Sequence, residues 1–137
     1  MSTYNVHAGH CPQDEGAAYG AVGILQESVE DRIVKIAVIA KLEALGHTVY
    51  DCTCDENTSQ NGCLATIVSK CNSHNVDLDI SIHLNSGRDD YEGDDSSGGT
   101  EVYGYDTGTE EIGSKICERS EEHTSELQSH TQISYAV

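Results

Sequence analysis

Apolar residues fall along this chain in two rhythms, one of period two and one near 3.6, and their alternation sets the expected architecture. Thr3–His7 places Tyr4 and Val6 two apart, the spacing of a short strand, and runs straight into Ala8, Gly9 and His10. Cys11–Gln26 is rich in Gly, Ala and acidic residues and reads as a loop. Val29, Ile33, Ile36, Ala37 and Ala40 then recur at helical spacing, which predicts a helix with that stripe turned inward. Ser28 with Asp31 three residues on reads as its N-cap, and Gly46 suits the position just past its end.

The same reading continues downstream. His47–Tyr50 predicts a short strand from the β propensity of Val49 and Tyr50, and Asp51–Asn61 is polar and irregular. Leu64–Ser73 predicts a second helix with Leu64, Ile67, Val68 and Cys71 on one face. Val76–Leu84 alternates Val76, Leu78, Ile80, Ile82 and Leu84 with Asp77, Asp79, Ser81 and His83, the clearest strand in the chain. Asn85–Gly99 is a long acidic, glycine-rich loop, Thr100–Tyr105 another strand, and Glu110–Glu118 the start of a third helix. No internal repeat is present.

Strands alternating with helices predict an α/β fold, a mostly parallel or mixed central sheet flanked by helices. In such sheets ligands gather beyond the carboxyl ends of the strands. The length, 137 residues, fits one domain. With no Phe and no Trp, the expected core is aliphatic with a few tyrosines. Seven Lys plus Arg against 24 Asp plus Glu give a net charge of −17, which argues against nucleic acid and anionic membrane surfaces as partners. No eighteen-residue apolar run exists, so no membrane insertion is expected. Met1–Tyr19 lacks a basic stretch followed by an apolar one, so no signal peptide is expected either. Six cysteines in that setting are expected to be reduced thiols.

Charge patterning adds candidate chemistry. His10 follows the first strand, His83 ends the third, and Glu27 stands just before the first helix, so all three are expected at one sheet edge. Two histidines and a glutamate form a recognised catalytic zinc set, with the fourth position left to water. Spacing alone does not select them from seven histidines and 24 carboxylates. Glu27 could serve only the helix dipole, and His83 could be a solvent-facing strand residue.

The local words select further. Ala8-Gly9-His10, then Gly20-Ala21-Val22-Gly23 with Glu27 four residues on, then Ser81-Ile82-His83-Leu84-Asn85, and later Gly99-Thr100-Glu101-Val102-Tyr103, resemble the zinc-dependent N-acetylmuramoyl-L-alanine amidases in motif and order. The resemblance covers roughly residues 3–118. It implies that His10, Glu27 and His83 are metal ligands, with Zn2+ as cofactor and bacterial peptidoglycan as substrate. It implies cleavage of the amide between the lactyl group of N-acetylmuramic acid and L-alanine. It also implies action at the cell wall, by an autolysin or by a phage endolysin made in the cytoplasm and released at lysis.

Two departures qualify the resemblance. Many family members have an aspartate three residues before the first ligand, and this chain has His7, read as a strand-end histidine rather than a residue orienting His10. The family's catalytic glutamate lies in a late strand, and nothing after Lys115 matches its motif. Glu101 is not assigned that role, so the catalytic residue stays unassigned. From Arg119 the text changes. Arg119–His130 and Ile133–Val137 resemble the conceptual translation of a sequencing-library adapter, with Thr131 and Gln132 in its variable index. The expectation is therefore an amidase domain over 1–118, incomplete at its C-terminus, and a disordered artefactual tail over 119–137. Such a fragment is expected to be marginally stable and weak or inactive in hydrolysis. Without the tail the balance is 6 basic to 21 acidic residues, so the acidity belongs to the domain.

Other signals carry less. Asp89–Asp95 crowds carboxylates that could attract calcium but reads as a solvated loop. Cys52-x-Cys54 with Cys63 and Cys71 lacks the two-residue separation of common zinc or redox motifs. Cys71 reads as a small buried hydrophobe, and Cys11 beside His10 is not assigned to the metal site. Tyr103 and Tyr105 are expected to face the core. The rival functions are a non-catalytic zinc- or cell-wall-binding module and an acidic calcium-dependent structural module. Oligomeric state is not predicted.

Overall fold

The computed structural model describes residues 1–12, 18–23, 25–85, 100–124 and 133–136. The chain forms two compact units, Met1–His83 and Leu84–Val137. In the first, β1 (Thr3–Ala8), α1 (Glu27–Ala44), β2 (Thr48–Asp51), α2 (Gln60–Cys71) and β3 (Leu78–Leu84) follow in order. β1 lies between β2 and β3 and pairs with both in parallel, with Thr3 opposite Thr48 and Tyr4 opposite Leu78. This is the α/β sheet expected from the alternation of periods. Parallel neighbours need long crossovers, and α1 and α2 supply them.

Covered on both edges and both faces, β1 is the most buried of the strands: Asn5, Val6 and Ala8 are fully enclosed. Asn5 is tolerated there because its Nδ2 donates to Cys71 O at 3.1 Å and to Asp79 Oδ1 at 2.6 Å. Ile82 on β3 fills the same layer. A second apolar cluster contains Cys11, Ala18, Cys54, Cys63 and Ile67, with Cys71 packed against it.

The helices form where the sequence pattern places them, but they turn a different side to the sheet. α1 begins at Glu27 after Gln26, which makes no side-chain cap, so Ser28 and Asp31 are buried residues inside the helix rather than caps. Its buried residues are Glu27, Ser28, Asp31 and Lys35, whereas Val29, Ile33 and Ile36 are exposed, Ile36 at 62%. The reason is that the polar side has partners. Lys35 Nζ donates to Asp51 Oδ2 at 2.7 Å, and Arg32 donates to the backbone carbonyls of Ser28, His10 and Cys54. The end of α1 matches expectation: Gly46, at φ +85°, donates to Glu43 O. α2 starts four residues earlier than predicted because Ser59 caps it, accepting from Gly62 N at 3.2 Å. It buries Cys63 and Ile67 and leaves Leu64 and Val68 exposed.

The second unit contains β4 (Glu101–Tyr103), α3 (Thr107–Thr124) and β5 (Ile133–Ala136), with β4 and β5 paired in parallel. Asp106 and Thr109 cap α3 reciprocally: Thr109 N donates to Asp106 Oδ1 and Asp106 N to Thr109 Oγ1, both at 2.9 Å. Gly113 lets this helix approach β4, since a Cβ there would meet Val102 Cγ1 at 2.7 Å. Tyr103 and Tyr105 are exposed rather than core, Tyr105 at 94%, because the strand ends before Gly104. The acidic run Asp89–Asp95 lies outside the described residues. Among the described residues no helix is long and apolar enough to cross a membrane.

The inverted face of α1 yields a paired expectation. Ile82→Ala should destabilise the chain by ~2–5 kcal/mol through lost burial and the cavity left behind. Ile36→Ala, despite its place in the apolar stripe, should change stability by no more than ~0.5 kcal/mol. Urea unfolding of both variants checks this, and a large loss for Ile36→Ala would contradict the observed orientation.

Candidate metal centre

His10 is placed by the turn that leaves β1. Its backbone takes φ +59°, a left-handed conformation unusual for a residue with a Cβ, and Arg32 Nη2 donates to its carbonyl at 3.2 Å. Just before it, Gly9 N donates to Ile82 O at 2.8 Å, tying the turn to β3. His83 comes from the end of β3, and Glu27 opens α1. Three segments far apart in sequence thus bring together the residues that the sequence analysis singled out.

The glycines of the motifs have a steric role in this convergence. A Cβ on Gly9 would lie 2.2 Å from His83 Cε1, inside the imidazole. A Cβ on Gly20, at φ +79°, would lie 2.6 Å from Glu27 Oε2 and 2.7 Å from His10 Cδ2. Each glycine therefore leaves room for a side chain of the trio, and Gly20 also takes a backbone conformation that L side chains rarely adopt.

Glu27 sits at the centre. Its Oε2 accepts from Ala21 N at 2.8 Å, while its own N donates to Ala21 O at 3.0 Å. Its Oε1 lies 3.1 Å from His10 Nε2 and 3.3 Å from His83 Nδ1. The imidazole rings stand edge to face with centroids 5.0 Å apart. One ligand atom from each residue falls within 4.8 Å of the other two. The carboxylate is buried and the imidazoles are partly open, so the cluster has a closed floor and an accessible side. Burial would raise the Glu27 carboxyl, but hydrogen bonds from His10, His83 and the Ala21 amide outweigh it and hold it well below the usual range. Two imidazole nitrogens and a carboxylate oxygen facing one point are a donor set that suits Zn2+.

Other candidates fall around this cluster or apart from it. His7 Nδ1 lies 3.4 Å from Ser81 Oγ, and burial lowers its pKa, which favours the neutral imidazole. Glu101, in the second unit, is exposed and accepts from Asn85 Nδ2 and Tyr103 Oη. Cys11 turns away from His10, with its Sγ 3.3 Å from Thr58 O, and groups with Cys54 and Cys63. All six cysteines are free thiols, and burial pushes Cys63 and Cys71 up to about 12.

Sequence reasoning missed Asp31. One helical turn beyond Glu27 it is fully buried, with neither carboxylate oxygen hydrogen-bonded. Burial, reinforced by the Glu27 charge, pushes it up to about 8. The signal available in the sequence was the four-residue spacing from Glu27, which puts both acids on one side of a helix.

With this geometry in place the molecule's class is defined: an α/β protein with a His, Glu, His cluster at the carboxyl edge of a parallel sheet. The chain belongs to the N-acetylmuramoyl-L-alanine amidase family (Amidase_3), whose sequence profile matches residues 5–136. Two curated relatives, both uncharacterized Clostridium perfringens proteins, are similar to it. One, from strain 13 / Type A, is 41% identical over 90 residues, covering 64% of this chain and 25% of its own length. The other, a 38.4 kDa protein, is 42% identical over 79 residues, covering 56% and 22%. The chain therefore spans about a quarter of the length of the curated relatives it matches. Among solved structures, the catalytic domain of CD27L endolysin targeting Clostridia Difficile shares the fold with a TM-score of 0.73 at 18% identity, covering 98% of this chain and 80% of that one.

The environment of Asp31 sets a pH dependence. Its folded pKa lies above the unfolded value, so its contribution is most favourable below about pH 4 and is lost as pH rises toward 8. In the metal-free chain Asp31→Asn should therefore raise stability by roughly 1–3 kcal/mol at pH 8 and change it little at pH 4. Urea unfolding at the two pH values measures this, and an equal effect at both would show that folding does not raise the Asp31 pKa.

Proposed function

We propose that this chain is the zinc-dependent catalytic domain of a peptidoglycan hydrolase that cleaves the amide between N-acetylmuramic acid and L-alanine. The observation that carries the reading is Glu27 Oε1, held 3.1 and 3.3 Å from the imidazole nitrogens of His10 and His83. His10, Glu27 and His83 would hold the ion. An ion held there would supply Lewis acidity, which acidifies water and polarises an amide carbonyl. The protein's own part is positional. Ala21 N fixes the carboxylate, Arg32 fixes the His10 carbonyl, and Gly9 and Gly20 keep the space in which the imidazoles meet. In the metal-free chain Asp31, one helical turn beyond Glu27, is held largely protonated near neutral pH by burial and the Glu27 charge.

Membership in the amidase family supports the substrate and reaction. The place of action would be the bacterial cell wall, reached by an autolysin or by an endolysin released at phage lysis. The net charge of −17 disfavours nucleic acid as an alternative partner. The trio supplies metal donors, and no general base is assigned. The second reading is a zinc- or wall-binding module without catalysis. We also propose that Arg119–Val137 derives from a sequencing adapter rather than from the natural gene, a reading supported by the in-frame match of two stretches. On that reading the natural domain extends differently beyond Glu118, and hydrolysis by this chain is weak.

The readings separate experimentally. The wild-type chain should bind one more zinc ion than His10→Ala or His83→Ala, as measured by equilibrium dialysis and metal analysis. Equal zinc content in all three would remove the ligand assignment. Purified peptidoglycan should release stem peptides with a free L-alanine amine, slowly with this chain and not at all with either variant. Release at the rate of an intact family member would overturn the proposal for the tail, and zinc binding with no release would favour the binding module. Recovery of an uninterrupted gene still encoding Arg119–Val137 would also overturn the adapter reading.

A further inference from the structure

Three buried thiols converge in the first unit, away from the His, Glu, His cluster. The Sγ atoms of Cys11, Cys54 and Cys63 all lie within 4.8 Å of one another. They arrive from three places: the residue after His10, the segment beyond β2, and the fourth residue of α2. No short motif encodes such a group, and the sequence spacing of these cysteines fits no common zinc pattern.

Two features make this more than a patch of small core residues. The first is distance. A zinc–sulfur bond of ~2.3 Å places the sulfurs around one ion roughly 4 Å apart, so these thiols need little movement to share a cation. The second is the surroundings. Cys11 Sγ donates to Thr58 O at 3.3 Å and Cys54 Sγ to Glu56 O at 3.6 Å, so metal binding would exchange these two contacts for metal–sulfur bonds. Arg32, largely buried, donates from Nη2 to Cys54 O at 2.7 Å and to His10 O at 3.2 Å. Its charge is thereby fixed beside the backbone carrying two of the three cysteines, where it would offset the excess negative charge of three thiolates around a divalent ion.

We propose that Cys11, Cys54 and Cys63 form a second metal site, structural rather than catalytic, for a soft d10 cation of the zinc and cadmium class. Thiolate donors select such ions over magnesium or calcium. Each thiol releases its proton to solvent as its sulfur bonds the metal, and no redox change is involved. The site joins the loop after β1 to the segment after β2 and to α2, cross-linking the first unit behind the residue that carries His10. It does not depend on the hydrolase reading.

The test uses the reduced, metal-free 137-residue chain carrying His83→Ala, which removes the other candidate site. Titration with Cd2+ should produce a thiolate-to-cadmium charge-transfer absorption that saturates at one equivalent, and the ion should raise the melting temperature. Adding Cys63→Ser should abolish both effects, while Cys71→Ser or Cys117→Ser should leave them. Absence of the absorption in His83→Ala overturns the proposal whether or not the cysteine variants fold. Its survival in Cys63→Ser, or its loss in Cys71→Ser, overturns the assignment to these three thiols. Failure of the hydrolase reading appears separately, as a peptidoglycan assay without released peptides.

Discussion

One oxygen atom organises the first unit. Glu27 Oε1 lies within hydrogen-bonding reach of both His10 and His83, while its partner oxygen is held by a backbone amide. A buried carboxylate is costly unless its lone pairs are satisfied. Here the satisfaction comes from the ends of two neighbouring strands and from the loop that enters α1. β1 and β3 must therefore be adjacent and parallel, α1 must turn its polar first turn inward, and two positions in the surrounding loops must have no side chain. The sheet order and the orientation of the helix both serve that contact.

The orientation of α1 shows where sequence reasoning stopped. Hydrophobic periodicity marks a helix because its apolar stripe usually faces the core. In α1 the stripe Val29, Ile33, Ile36 faces outward, since Glu27, Lys35 and Arg32 each have a specific partner on the inner side. Period identifies the helix, but the choice of inner face is settled by ion pairs and carbonyl contacts formed with residues distant in sequence. Strand positions suffered less. The alternation along Val76–Leu84 predicted β3 to within two residues, and the parallel α/β arrangement followed from the order of periods.

The functional residues were legible to different degrees for a related reason. His10, Glu27 and His83 stand in short words with their glycines, so local sequence points to them, and Gly9 and Gly20 now have a steric explanation. Asp31 was hidden because an acid near a helix start reads first as a cap, and only burial reveals that it has none of a cap's hydrogen bonds. The thiol group was hidden more completely. Its members come from a loop, a strand exit and a helix, and only the folded chain brings them together. Tyr103 and Tyr105 erred in the opposite direction, since same-face spacing says nothing when the strand ends at the first of them.

The left-handed backbone of His10 has an energetic consequence. A residue with a Cβ in that conformation carries strain of roughly 1–2 kcal/mol, a cost that glycine would not incur. Replacing His10 by glycine would relieve that strain, but it would also remove the imidazole that lies 3.1 Å from the buried Glu27 Oε1 and one of the three donors of the candidate metal centre. The strain is held in place by the same contact that satisfies the carboxylate, so neither can be released without the other.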